Sequence, residues 1–90
     1  MDETTIRREI LMALRQMAHR QETTSEILHL DMADVAARAG VSREAVKASL
    51  IDLLIEGFAE GFAETLTDHA SDGHCRITAA GMEELRRLTG

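Results

Sequence analysis

Residues 30–57 read LDMADVAARAGVSREAVKASLIDLLIEG, and they contain the clearest structural signals in the chain. Its first part is rich in helix-forming residues, and Asp31 is placed to cap a helix there. Gly40 can adopt the left-handed backbone conformation that ends a helix, and Ser42 can cap the next one. The second helix is longer and is expected to stop at Gly57. Two helices joined by a tight turn are therefore predicted at the centre of the chain.

An amphipathic helix is predicted before this centre, from Thr4 to about Arg20. Apolar residues recur there at helical offsets of three and four, with arginines between them; they are Ile6, Ile10, Leu11, Leu14, Met17 and Ala18. Residues 21–26 have no apolar period and are expected to form a loop. Residues 27–30 form a short apolar segment that is compatible with a brief strand.

The segment after Gly57 changes to a period of two, which is typical of strands. Residues 67–73 carry turn-forming side chains. The strand after them is expected to direct Cys75 and Ile77 inward, and His74 and Arg76 outward. The pattern as a whole predicts a β-hairpin.

A last helix is predicted over residues 79–88, with Thr78 as its cap and Met82, Leu85 and Leu88 on one face. The expected fold class is therefore mostly α with a small β-hairpin, in an α+β arrangement. The expected order is helix, strand, helix, helix, strand, strand, helix. At 90 residues the chain is long enough for one domain, spanning 1–90.

Composition narrows the class of protein. Two Phe and no Trp or Tyr argue against single-strand nucleic-acid modules, which depend on aromatic stacking. One cysteine cannot form an internal disulfide. Without a signal-like start or a run of roughly 18 apolar residues, the sequence favours a soluble, cytoplasmic protein.

The charge of the chain conflicts with binding to nucleic acid. The formal net charge is −6, and residues 26–75 contain ten acidic residues against Arg38, Arg43 and Lys47. Proteins that neutralise phosphates usually carry a basic patch instead. The most acidic part of the chain is thus the part that contains the two central helices.

The order of elements resembles the winged-helix branch of the helix-turn-helix proteins over nearly the whole chain. Two local patterns carry the resemblance: VSREAV at 41–46, continuing to EGF at 56–58, and RITAAG at 76–81. The resemblance implies a DNA-binding transcriptional regulator that acts as a homodimer. It would insert helix 42–56 into the major groove of double-stranded DNA.

The resemblance also implies which side chains contact DNA. The matching exposed positions include Ser42, Arg43, Lys47 and Ser49, and the wing strand offers Arg76 to phosphates. Arg43 and Lys47 are four residues apart on one helix face, so Arg43 can contact guanine while Lys47 contacts a phosphate. The alternative is that both are ordinary solvated charges, with Arg43 paired to nearby acids.

The expected wing tip departs from the family pattern. It carries Asp68 and Asp72 and no Arg or Lys, so it would repel a phosphate backbone. His69 and His74 can become positive at mildly acidic pH and reduce that repulsion.

Neither a metal site, a cofactor nor catalysis is expected. The spacing of His69, His74 and Cys75 is not a zinc pattern, and neighbouring strand residues point to opposite faces. Cys75 is better interpreted as a small buried hydrophobic residue. The chain has no recognisable nucleophile and base pair and no glycine-rich phosphate loop, so it is not expected to be an enzyme.

A second interpretation rests on the far half of the second central helix. Ile51, Leu54 and Ile55 are apolar in addition to the inward stripe of Val46, Leu50 and Leu53. The first and last helices can cover these three extra residues. Alternatively, the three residues form an exposed patch that binds a partner. In the second case the chain is a winged-helix protein-protein interaction module that does not bind DNA and that docks through this patch or through an acidic face. A homodimer seam on the first or last helix is a further possibility.

Overall fold

The computed structural model describes residues 3–21, 32–61 and 75–89. They form four helices and two short strands: α1 (Glu3–Gln21), α2 (Met32–Ala39), α3 (Arg43–Glu56), β1 (Ala59–Glu60), β2 (Arg76–Ile77) and α4 (Ala79–Thr89). The fold is mostly helical with a small antiparallel sheet, which confirms the predicted α+β class. The predicted strand at 27–30, the Asp31 cap and the turn at 67–73 lie outside the described residues.

The ends of α2 and α3 are set by local capping chemistry. Gly40 has a φ of 71°, so it takes the left-handed conformation that ends α2. The Ser42 hydroxyl accepts a hydrogen bond from the Ala45 amide at 3.2 Å and caps α3. Gly57, with a φ of 84°, closes the helix by donating its amide to carbonyls in the last turn of α3. The predicted boundaries of both helices are confirmed to within one residue.

The core lies between α1 and the other elements, since α1 packs against α2, α3, α4 and β2. Its largest fully buried side chains are aliphatic and come from all four helices: Ile10, Leu11, Leu14, Val35, Val46, Leu50, Leu53 and Leu85. Phe58 only borders this cluster. Burial of these side chains is the main source of stability in a domain with so little aromatic surface.

The two strands bring the end of α3 next to the start of α4. Ala59 pairs with Ile77, and Glu60 pairs with Arg76. Cys75 is buried, Ile77 is half-buried and Arg76 is exposed, as the alternating pattern predicts. The strands therefore place Arg76 on the solvent face of the sheet.

Thr78 joins α4 to the end of α3. Its hydroxyl accepts a hydrogen bond from the Gly81 amide at 3.0 Å, which confirms the predicted cap, and donates to the Gly57 carbonyl at 2.7 Å. Leu85 on α4 is buried, whereas Met82 is 40% exposed. Of the helices described here, none combines the length and apolar character that crossing a membrane requires.

Candidate functional site on helix α3

The first half of α3 presents polar and basic side chains to solvent. Val46, Leu50 and Leu53 anchor the helix in the core, so the opposite side faces outward. Arg43 is exposed and Lys47 is half-buried. One helical turn separates them, which corresponds to about 6 Å along the axis. A single stretch of a polyanion can therefore contact both side chains.

Ser42 stands at the N-terminal end of this surface. It is exposed, but its hydroxyl oxygen is engaged in capping the Ala45 amide. Its hydroxyl proton can still be donated to a ligand. Ser42 therefore stabilises the helix start whether or not it also contacts a ligand.

Ser49 is not part of the exposed surface. Only 5% of its surface is accessible, and it lies on the inner side of α3 with Val46 and Leu50. The expected exposure of Ser49 is therefore wrong, and its predicted contact with DNA is withdrawn. The helical period places position 49 next to the inward stripe, but a serine carries no apolar signal that would reveal this.

Arg76 is exposed but already has an acidic neighbour. It forms an ion pair with Glu60, its partner across the two strands. Both side chains are more than half exposed, so the pair contributes at most about 1 kcal/mol. A phosphate can compete for Arg76 under these conditions, although the pair lowers the positive charge that β2 offers.

The second half of α3 carries an apolar surface. Ile55 is 78% exposed and Ile51 is 37% exposed, whereas Leu54 is half-buried and packs against the core. Neighbouring helices therefore cover Leu54 but leave Ile51 and Ile55 accessible. Exposed aliphatic side chains that form a contiguous patch mark surfaces that bind partners.

An ion-pair cluster between α1, α3 and α4 lies beside this surface. Arg7 Nη2 is 2.6 Å from Glu56 Oε2 and 3.8 Å from Glu84 Oε2. Arg87 Nε donates to Glu84 Oε1 at 2.5 Å. Sequence reasoning missed this cluster because Arg7 and Glu56 are 49 positions apart, and no local pattern links them.

The cluster changes the proton affinity of Glu84. The hydrogen bond from Arg87 lowers the pKa of Glu84 below the usual 4.5, and attraction by Arg87 and Arg7 acts in the same direction against the opposing effect of burial. The same bond raises the pKa of Arg87. Glu84 is thus held as a carboxylate at neutral pH and ties α4 to α1.

The formal charge is divided unevenly along the chain. Residues 3–21, 32–61 and 75–89 together hold nine acidic and ten basic residues. The other positions hold seven acidic residues and no Lys or Arg. The described helices and strands are thus nearly neutral, and the negative charge of the chain comes from the remaining positions.

An open depression along α1 and α4 is lined by Arg15, Gln16, Ala18, His19, Arg20 and Met82. Among its described lining residues, none is a carboxylate, serine or cysteine that could act with His19. Within the described ranges, no three His, Cys, Asp or Glu side chains converge to hold a metal ion. His69 and His74 lie outside those ranges, as do Asp68 and Asp72.

Comparisons of the chain with protein-family models, curated proteins and solved structures yield no match. The chemistry of the α3 surface is therefore the basis for assigning a function.

Proposed function

We propose that this protein is a winged-helix DNA-binding protein that acts as a transcriptional regulator. In this proposal α2 and α3 form the helix-turn-helix, and β1 and β2 form the base of the wing. The tight connection through Gly40 and the position of the two strands after α3 support this order. Helix α3 would enter the major groove with its first half.

One observation carries the proposal: Arg43 is exposed and Lys47 is half-buried on the same side of α3, a helix whose start is capped and whose inward stripe is anchored in the core. Arg43 can donate two hydrogen bonds to the O6 and N7 atoms of guanine. Lys47 contacts a phosphate, and the amides of the first turn of α3 add a partial positive charge. Arg76 contacts a second phosphate after leaving Glu60.

The net negative charge of the chain comes from positions outside the described helices and strands. The described residues are close to neutral, so a local basic face on α3 can act at short range. Salt screens charges that lie more than about 8–10 Å away at physiological ionic strength. Acidic residues that lie farther than this from Arg43 and Lys47 weaken binding mainly at low salt.

Binding of double-stranded DNA of mixed sequence, measured by fluorescence anisotropy at low and moderate salt, tests the proposal. We expect wild type to bind and to weaken as salt rises, because contacts with phosphates release counterions. The double variant Arg43→Ala/Lys47→Ala should lose at least about tenfold in affinity, since it removes one base contact and one phosphate contact.

A matched control removes two positive charges elsewhere. Arg15→Ala/Arg86→Ala changes the net charge by the same amount on α1 and α4, where both side chains are exposed. It should bind DNA much more tightly than the α3 double variant. Equal losses in the two variants would indicate non-specific attraction, and no binding by wild type at low salt would rule out the DNA-binding function.

A second candidate function follows from the exposure of Ile55 and Ile51. The same fold would then act as a protein-protein interaction module that does not bind DNA, with Ile51, Leu54 and Ile55 as its docking patch. This candidate predicts that wild type is not retained on DNA and that Ile55→Ser abolishes a protein complex while leaving the fold intact.

A further inference from the structure

The exposed side of α3 carries a regular seam. Glu44, Ala48, Ile51 and Ile55 are spaced by four, three and four residues, and all four are exposed. This alternation is the spacing at which side chains of two packed helices interdigitate. Because the opposite side of α3 is already buried in the core, the helix has one apolar stripe inside the domain and a second one facing solvent.

The charges beside the seam favour one arrangement of two copies. Lys47 immediately precedes Ala48, and Asp52 immediately follows Ile51. At roughly 100° per residue, these two side chains lie on opposite flanks of the seam. In a parallel pair of helices, Lys47 of one copy meets Asp52 of the other, five residues further on, and the twofold symmetry forms this ion pair twice. In an antiparallel pair each flank faces the same flank of the other copy, so Lys47 would not meet Asp52.

We propose that the seam is a docking site for a second copy of this chain, with the two α3 helices parallel. Ile51 and Ile55 meet their counterparts, and the small Ala48 permits close approach of the helices. Two Glu44 side chains face each other at one end and weaken the contact. A seam of two heptads is a small interface, so a dissociation constant on the order of 10–500 µM is expected.

Self-association would also affect the proposed function. Lys47 is used in the dimer, and the outer side of α3 is covered, so the dimer and DNA compete for the same helix. This consequence rests on the proposed DNA-binding function, whereas the dimer itself does not.

The first test is sedimentation equilibrium of the protein alone at concentrations from about 5 to 500 µM, a range that brackets the affinity expected of a small interface. Wild type should change from monomer to dimer within this range. Ile55→Ser should remain monomeric and keep the wild-type circular dichroism spectrum. Met82→Ser alters an exposed apolar residue on α4 instead and should dimerise as wild type does. A monomeric wild type throughout, or dimerisation that Ile55→Ser leaves unchanged, overturns the proposal.

A charge exchange tests the parallel arrangement. Lys47→Asp and Asp52→Lys should each weaken the dimer by about fivefold or more, because each creates a like-charge pair. The double variant Lys47→Asp/Asp52→Lys should restore the dimer. Glu44→Gln should tighten it by removing repulsion at the end of the seam. If the double variant does not regain the dimer affinity that each single variant loses, the parallel pairing is wrong.

DNA binding measured on the same samples separates the two proposals. If both hold, Ile55→Ser should bind DNA at least as tightly as wild type at concentrations where wild type dimerises. A wild type that dimerises through the seam without binding DNA supports the dimer and refutes the proposed function. A wild type that binds DNA and stays monomeric at all concentrations supports the proposed function and refutes the dimer.

Discussion

Two glycines at the junction of α3 and α4 are required for different physical reasons. Gly57 has a φ of 84°, and a Cβ atom added there would meet nothing within 4 Å. Its requirement is conformational, since L-residues rarely adopt positive φ. Gly81 lies in a helix, but an added Cβ would stand 1.9 Å from the Phe58 carbonyl oxygen and 2.8 Å from Ile77 Cγ1. Its requirement is space for the close approach of α4 to the end of α3.

Alanine substitutions at these glycines should therefore differ in cost. Gly81→Ala should lower the free energy of unfolding by about 2–3 kcal/mol or more, because backbone must move to relieve the overlap. Gly57→Ala should cost only about 1 kcal/mol, and Gly57→Asn less, since asparagine tolerates the left-handed conformation.

Urea unfolding of the three variants measures these differences. Helix propensity alone predicts the opposite sign at position 81, where alanine would stabilise α4 by roughly 1 kcal/mol. A stabilised Gly81→Ala variant would therefore show that α4 does not approach Phe58 as closely as described.

At the scale of elements, the four helices are joined by contacts of two kinds. The aliphatic core holds them together without strong directionality. The Arg7, Glu56, Glu84 and Arg87 cluster adds directional bonds between α1, α3 and α4. Arg7 also lies 5.8 Å above the centre of the Phe58 ring, so it contacts the start of the sheet as well. The orientation of α4 relative to α3 therefore depends on side chains from α1.

Glu84 should make the stability of this helix arrangement depend on pH. Because folding lowers its pKa below 4.5, the folded state binds fewer protons than the unfolded state in mildly acidic solution. The stabilising contribution is fully present above pH 4.5 and is lost as the pH falls through the lowered pKa of the folded protein. Glu84→Gln should consequently show a shallower loss of stability than wild type over this acidic range.

Thermal unfolding at a series of pH values between about 3 and 7 measures this slope. Glu83→Gln is the matched control, because it removes an adjacent carboxylate that is exposed on the same helix. It should keep the wild-type pH dependence. Identical slopes for wild type and Glu84→Gln would contradict the role assigned to the Arg87 and Arg7 contacts.

For the whole molecule, the distribution of charge matters more than the net charge. All ten basic residues belong to the described helices and strands, whereas seven of the 16 acidic residues do not. Three of these seven, Glu64, Asp68 and Asp72, fall in the segment between β1 and β2 that is expected to form the wing. If the proposed function holds, they oppose a phosphate backbone near the site.

Neutralising these three residues should therefore raise affinity for DNA. Glu64→Gln/Asp68→Asn/Asp72→Asn should bind several-fold more tightly than wild type at low salt, because repulsion at short range is removed. The control Glu3→Gln/Glu9→Gln/Glu83→Gln makes the same change in net charge on α1 and α4. Equal gains in the two triple variants, measured by anisotropy, would show that only net charge matters and that the segment is not near the DNA.

Local sequence patterns are enough to predict the features that depend on near neighbours. The boundaries of α2 and α3 follow from Gly40, Ser42 and Gly57, whose caps involve residues within a few positions. The inward stripe of α3 and the alternation at Cys75 and Ile77 follow from helical and strand periods, which are also local. Arg43 and Lys47 lie beside this stripe, where Arg43 is exposed and Lys47 is half-buried.

Which parts of these surfaces are covered depends on tertiary packing, which local patterns do not reveal. Burial of Ser49, exposure of Ile55 and the bond between Arg7 and Glu56 depend on how distant helices pack. A helical period identifies the residues that share a face, but it does not determine how wide a strip of that face a neighbouring helix covers. That width depends on crossing angles and on the volumes of side chains far apart in the chain, and it separates the buried stripe of α3 from its exposed one.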